Sequence, residues 1–210
     1  MTHSPLPKLM YVSDSLSKIQ MALDGGIQFV QYREKNLSRE EMEKQIPKLE
    51  SLSKTYNALF FLNDDAFLVK NSFLDGVHLG KTDMDLKEAR KLLGDKKIGA
   101  TANSLEDVLG ICENLFQTSV DYIGLGPFAF TTTKKNLASL LGKKGIQDIV
   151  FESQNTYADL VPPIYAIGGI TKQDFLPLME TGIHGIAVSG LISKSSNISK
   201  TTRELIDLLE

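Results

Sequence analysis

Along the chain, short apolar runs of four to six residues alternate with longer stretches in which apolar positions recur every three or four residues. A short continuous run reads as a strand buried on both faces, and the longer pattern as a helix with one apolar face. The runs predict strands at Lys8–Val12, Ile27–Tyr32, Leu59–Leu62, Gly76–Leu79, Lys97–Ala100, Val120–Leu125, Ile164–Ile167 and Gly185–Val188. The stretches between predict helices at Leu16–Leu23, Ser38–Tyr56, Asp65–Asn71, Asp85–Leu93, Leu105–Phe116, Lys144–Gln154, Lys172–Glu180 and Lys200–Leu209. Capping residues mark several helix starts. Ser38 and Glu41 have the spacing of a capping box, Ser104 and Asp107 its acidic variant, and Thr171 and Asp85 are N-cap candidates.

Eight strands alternating with eight helices imply a parallel sheet. At about 26 residues per strand–helix unit, the 210 residues suit a single closed (β/α)8 TIM barrel, one catalytic domain over 1–210. An open doubly wound sheet is the alternative. A faint repeat supports closure: Leu74–Gly80, Val120–Gly126 and Ile183–Gly190 each have a small or polar entry, four to five mostly apolar residues and glycine at the exit. In such a barrel, chemistry is placed at the C-terminal ends of the strands.

Composition narrows the function classes. A net charge of −3 argues against nucleic acid or an anionic membrane as partner, so any anion site has to be built from a few placed cations. A single cysteine, Cys112, excludes an internal disulfide, and its place on a helix face reads as an apolar filler. The first residues lack the form of a signal peptide and no apolar stretch reaches 18 residues, so a cytoplasmic protein is expected. Self-association into a homo-oligomer is left open.

The strand exits are polar. After the second strand, Gln31, Arg33 and Lys35 share one face while Tyr32 and Glu34 take the other, which makes an anion-facing row. After the third and fourth come Asn63-Asp64-Asp65 and Gly80-Lys81-Thr82-Asp83. Asp65 and Asp85 read as helix caps. Asp64 and Asp83 would sit at neighbouring exits, where two close carboxylates repel by about 4 kcal/mol at an effective dielectric near 20. A divalent cation between them reverses that sign, and all-oxygen ligands suit Mg²⁺ shared with a diphosphate. Only three histidines occur, none in zinc-ligand spacing, and His78 reads as a core or supporting residue. Further exits carry Thr101, the run Thr131-Thr132-Thr133-Lys134 after Gly126-Pro127, the pair Gly168-Gly169, and Ser189-Gly190. Hydroxyls, a lysine and glycines with free N–H groups are phosphate-gripping chemistry. The residues thus describe a barrel with a metal-assisted diphosphate site and a second, monophosphate site.

These exits closely resemble those of the thiamine phosphate synthase family, in register from about residue 9 to 193. The resemblance implies a transferase of thiamine biosynthesis that joins a hydroxymethylpyrimidine diphosphate to a thiazole phosphate and releases diphosphate. It implies that the C–O bond breaks first, leaving a pyrimidine-methyl cation that the thiazole nitrogen attacks. By position, Gln31, Tyr32, Arg33, Glu34, Lys35, Asn63, Thr101 and Lys134 would bind the pyrimidine diphosphate, with Arg33, Lys35, Thr101 and Lys134 acting in catalysis. Asp64 and Asp83 would hold Mg²⁺. Thr131, Thr132, Thr133, Gly169, Ser189 and Gly190 would hold the thiazole phosphate. Lys134 would close over the diphosphate on a moving loop. The sequence departs from the family pattern at Thr101, where Ser is frequent, and at Phe130, where Pro is frequent. The eighth exit is offset by one residue. A related thiazole tautomerase on the same scaffold, with a histidine where this chain has Asn103, is the rival reading; a non-catalytic phosphate-ligand binder is the third.

Overall fold

The computed structural model describes residues 6–131 and 138–210. Eight strands pair in parallel and in sequence order, and the last closes on the first: β1 (Leu9–Ser13), β2 (Phe29–Tyr32), β3 (Leu59–Asn63), β4 (Gly76–Leu79), β5 (Lys97–Ala102), β6 (Tyr122–Leu125), β7 (Ile164–Ile167) and β8 (Gly185–Val188). The structure is therefore the closed TIM barrel, and the open doubly wound sheet is set aside. Because all strands run the same way, all their C-terminal ends meet at one rim. Among the described residues, no helix is long and apolar enough to cross a membrane.

Helices cover the outside. They are α1 (Leu16–Asp24), α2 (Arg39–Tyr56), α3 (Ala66–Lys70), α4 (Leu86–Leu93), α5 (Leu105–Glu113), α6 (Leu115–Thr118), α7 (Gly142–Tyr157), α8 (Phe175–Met179), α9 (Gly190–Ser193) and α10 (Ile198–Asp207). The capping box of Ser38 and Glu41 forms, and Asp65 and Asp85 cap α3 and α4. Ser104 caps α5, but the Asp107 carboxylate accepts from Asn103 N and pairs with Lys81 instead of returning to Ser104. The single helix expected over Leu105–Phe116 is divided at Asn114, whose side chain donates back to Gly110 O. The stretch from Lys172 begins as a 3-10 turn, with Thr171 and Asp174 forming its capping box, before α8 starts.

Two apolar cores follow from strand alternation. Leu9, Tyr11, Val30, Tyr32, Phe60, Leu62, Val77 and Ile98 point outward under the helices. Met10, Val12, Phe29, Phe61, Tyr122, Tyr165 and Ala187 fill the barrel. Within it, Phe29, Phe61, Tyr122 and Tyr165 meet edge to face with centroids 5.0–5.7 Å apart. Glycine makes this layer fit. A Cβ at Gly99 would lie 2.1 Å from the Tyr122 ring, and one at Gly76 would lie 2.7 Å from Phe61. The large rings of some strands thus lie over bare backbone of others.

Candidate active site

Above the aromatic layer the interior turns polar. Gln31, Asn63, His78 and Thr101 follow the inward-facing Phe29, Phe61, Gly76 and Gly99 by two positions on β2 to β5, so alternation brings them to the same wall. His78 lies with its Nδ1 2.9 Å from the Tyr122 hydroxyl and its Nε2 2.9 Å from Thr101 Oγ1. Gln31 Nε2 donates to the same Tyr122 oxygen at 3.4 Å.

At the rim, Asn63 pairs in register with His78, and the N–H of Asp64 donates to His78 O at 2.9 Å. Asp64 takes a left-handed backbone, φ 69, a conformation that Asp adopts more readily than most residues. On the next exit, Asp83 folds back in a tight turn and its Oδ2 accepts from Gly80 N at 2.6 Å. A Cβ at residue 80 would come 2.9 Å from that oxygen, so glycine gives the turn its room. The two carboxyls come within hydrogen-bonding reach of each other, and Lys35 Nζ lies 3.6 Å from Asp64 Oδ2. Burial pushes the Asp64 carboxyl up to about 6, and the hydrogen bond and charge of Asp83 add to the rise; Lys35 and Arg33 oppose it. This is the electrostatic signature of two acids crowded beside two bases.

The other half of the rim is built from backbone. Phe128 N donates to Ile167 O and Ala129 N to Gly168 O, which clasps the β6 exit to the β7 exit. Gly168 and Gly169 have φ 101 and 70, and a Cβ at Gly169 would lie 2.5 Å from Phe130 O. These glycines therefore have a packing reason beside any ligand. Thr131 continues directly from this clasp. The Asn103 amide donates to Gly126 O and holds the start of the same loop. After β8, Ser189 leads into α9 and its side chain makes no cap hydrogen bond to the helix; Tyr11 OH and Ser193 Oγ, 2.7 Å apart, tie that turn to β1.

Most of the expected site residues thus gather at one rim: Gln31, Arg33, Lys35, Asn63, Asp64, Asp83 and Thr101 on one side, Thr131, Gly169, Ser189 and Gly190 on the other. Two do not join. Tyr32 packs in the layer between barrel and helices, because alternation turns it away from Gln31. Glu34 is turned into its own loop, where Oε1 accepts from Asn36 N at 2.7 Å. Thr132, Thr133 and Lys134, and with them the expected closing loop, lie outside the described residues. Tyr122 was not singled out from the sequence as part of the site. Its signal was its place on β6 two residues before Gly124, on the inward face.

A closed parallel barrel whose rim joins paired carboxylates and cations to glycine-lined turns has the form of a TIM-barrel enzyme. The profile described as Thiamine monophosphate synthase matches residues 7–192, and the chain belongs to that family. It is 43% identical over 195 residues to the thiamine-phosphate synthase of Flavobacterium johnsoniae, covering 90% of this chain and 89% of the relative. It is likewise 43% identical over 189 residues to that of Bacteroides thetaiotaomicron, covering 90% and 88%. Among solved structures, thiamine phosphate pyrophosphorylase from Pyrococcus furiosus superposes with a TM-score of 0.83 at 30% identity, over 96% of this chain and 95% of that one.

Proposed function

We propose that this chain is a Mg²⁺-dependent thiamine phosphate synthase, joining 4-amino-2-methyl-5-hydroxymethylpyrimidine diphosphate to 4-methyl-5-(2-phosphoethyl)thiazole. The observation that carries the reading is the Asp64–Asp83 pair with Lys35 beside it, in a member of this family. Among the described residues, no group of three or more His, Cys, Asp or Glu could hold a metal. Two carboxylates without a third suit Mg²⁺, which keeps waters and completes its shell with substrate phosphates. The mutual crowding of the two acids is the property a cation relieves. Bound there, Mg²⁺ would offset the negative charge of a diphosphate leaving group.

The chain's own residues then have separable tasks. Arg33 and Lys35 stabilise the diphosphate as its C–O bond lengthens, each charge-assisted contact contributing about 1.5–3 kcal/mol. Gln31, Asn63 and Thr101 orient the pyrimidine end. Thr131, Gly169, Ser189 and Gly190 seat the thiazole phosphate, so that the ring nitrogen faces the methylene carbon it attacks. The C–O bond breaks with its electrons on diphosphate, and the C–N bond forms with the nitrogen lone pair. Purified protein mixed with both phosphorylated halves and Mg²⁺ should form thiamine phosphate and diphosphate, read by chromatography. Absence of product with both halves present would overturn the reading.

A further inference from the structure

Barrel interiors are ordinarily filled by apolar layers, yet this one holds a continuous polar chain above its aromatic floor. Tyr122 is fully buried, and two glycines clear space for the chain. A Cβ at Gly99 would lie 2.5 Å from the Tyr122 hydroxyl oxygen, and one at Gly124 would lie 3.1 Å from His78 Cε1. The donors and acceptors suit one direction. The Gln31 amide N–H₂ can only donate, so the Tyr122 oxygen accepts from it, which leaves the phenol proton available for His78 Nδ1. With Nδ1 accepting, the imidazole would carry its proton on Nε2 and donate it to Thr101 Oγ1, 2.9 Å away. The Thr101 hydroxyl, accepting from below, has its own proton to give toward the barrel mouth.

We infer that Tyr122 and His78 are positioning residues: through a one-way chain of hydrogen bonds from Gln31, they hold the Thr101 hydroxyl as a donor aimed at the pyrimidine diphosphate. The inference rests on the proposed synthase reading for the identity of that ligand, but the tautomer it requires belongs to the protein alone.

The test has a spectroscopic arm and a kinetic arm. With ¹⁵N-labelled histidine, the chain shows three imidazoles, and the His78→Gln variant identifies the one at 78. Above pH 8 that ring should be a single tautomer, protonated at Nε2, and Tyr122→Phe should convert it to a mixture while leaving the ring packing in place. In kinetics, losing one aligned hydrogen bond should lower kcat about tenfold in Tyr122→Phe and in His78→Leu, with KM for the thiazole phosphate unchanged. A glutamine amide spaces an acceptor and a donor much as an imidazole does, so His78→Gln should stay within about threefold of the parent. Circular dichroism checks that each variant folds. A proton found on Nδ1 in the parent protein overturns the relay. So does His78→Gln as slow as His78→Leu, which would assign proton transfer to the imidazole, or Tyr122→Phe at full speed. If the parent makes no thiamine phosphate, the synthase reading falls, while the tautomer measurement still decides the chain of hydrogen bonds.

Discussion

Asp64 concentrates the tension in the site. It has a left-handed backbone, a neighbouring carboxyl within hydrogen-bonding reach, and a carboxyl pushed up to about 6 by burial and Asp83. Because the folded value is raised above the ordinary one, the folded state holds the proton more tightly, so the metal-free fold loses stability as pH rises from about 4 to about 6 and stays weakened above that. Asp64→Asn, which suits the left-handed backbone, should therefore stabilise the metal-free protein at pH 8. The gain should be on the order of 1 kcal/mol after solvent screening at this half-exposed site, or about 2–4 °C in Tm. It should vanish as pH falls from 6 to 4 in thermal melts of both proteins. Metal binding requires the ionised acid, so Mg²⁺ affinity of the parent should fall as pH drops below about 6, up to tenfold per unit, read by calorimetric titration. At the same scale, Cys112 is the buried filler its helix position suggested, with burial pushing its thiol up to about 11.

Elements explain why the site residues meet. The repeat legible at Leu74, Val120 and Ile183 marks β4, β6 and β8, and its polar leading residues do equivalent work. Asp75 accepts from Phe60 N, Asp121 accepts from Ile98 N, and His184 Nε2 lies 2.7 Å from Leu6 O. Each pins the start of its own strand to a neighbour. Asp121 also pairs with Arg90 and Lys97, so Asp121→Ala leaves a strand N–H and two cations without that partner and should destabilise by about 3 kcal/mol in denaturant unfolding. On the rim, Gly169→Ala would drive a Cβ into Phe130 O from a left-handed backbone. It should raise KM for the thiazole phosphate at least about tenfold while shifting the diphosphate substrate little, measured by varying each substrate in turn. Strand positions were legible because apolar runs and glycine exits mark them. The division at Asn114 and the short α9 were not: the first goes with one Asn side chain bonding back to Gly110 O inside an apolar helix pattern, and the second is tied by Tyr11, distant in sequence, to Ser193.

At the scale of the whole molecule, closure of eight parallel strands brings residues from β2 to β8 to one rim. That convergence was readable before any coordinates, since exit position alone places Arg33, Asp64 and Asp83 together. The sequence also places Tyr32 and Glu34 at the exit, but packing takes one into the helix layer and a local N–H takes the other. The polar chain through Tyr122 escaped notice because it joins strands 91 residues apart in sequence. Whether Asp64 and Asp83 share a cation beside Lys35 is decided by turnover with saturating substrates. EDTA should abolish product in the parent, and Asp64→Asn and Asp83→Asn should each lower kcat by about a hundredfold or more while KM for the thiazole phosphate holds. Undiminished synthesis in EDTA would contradict it.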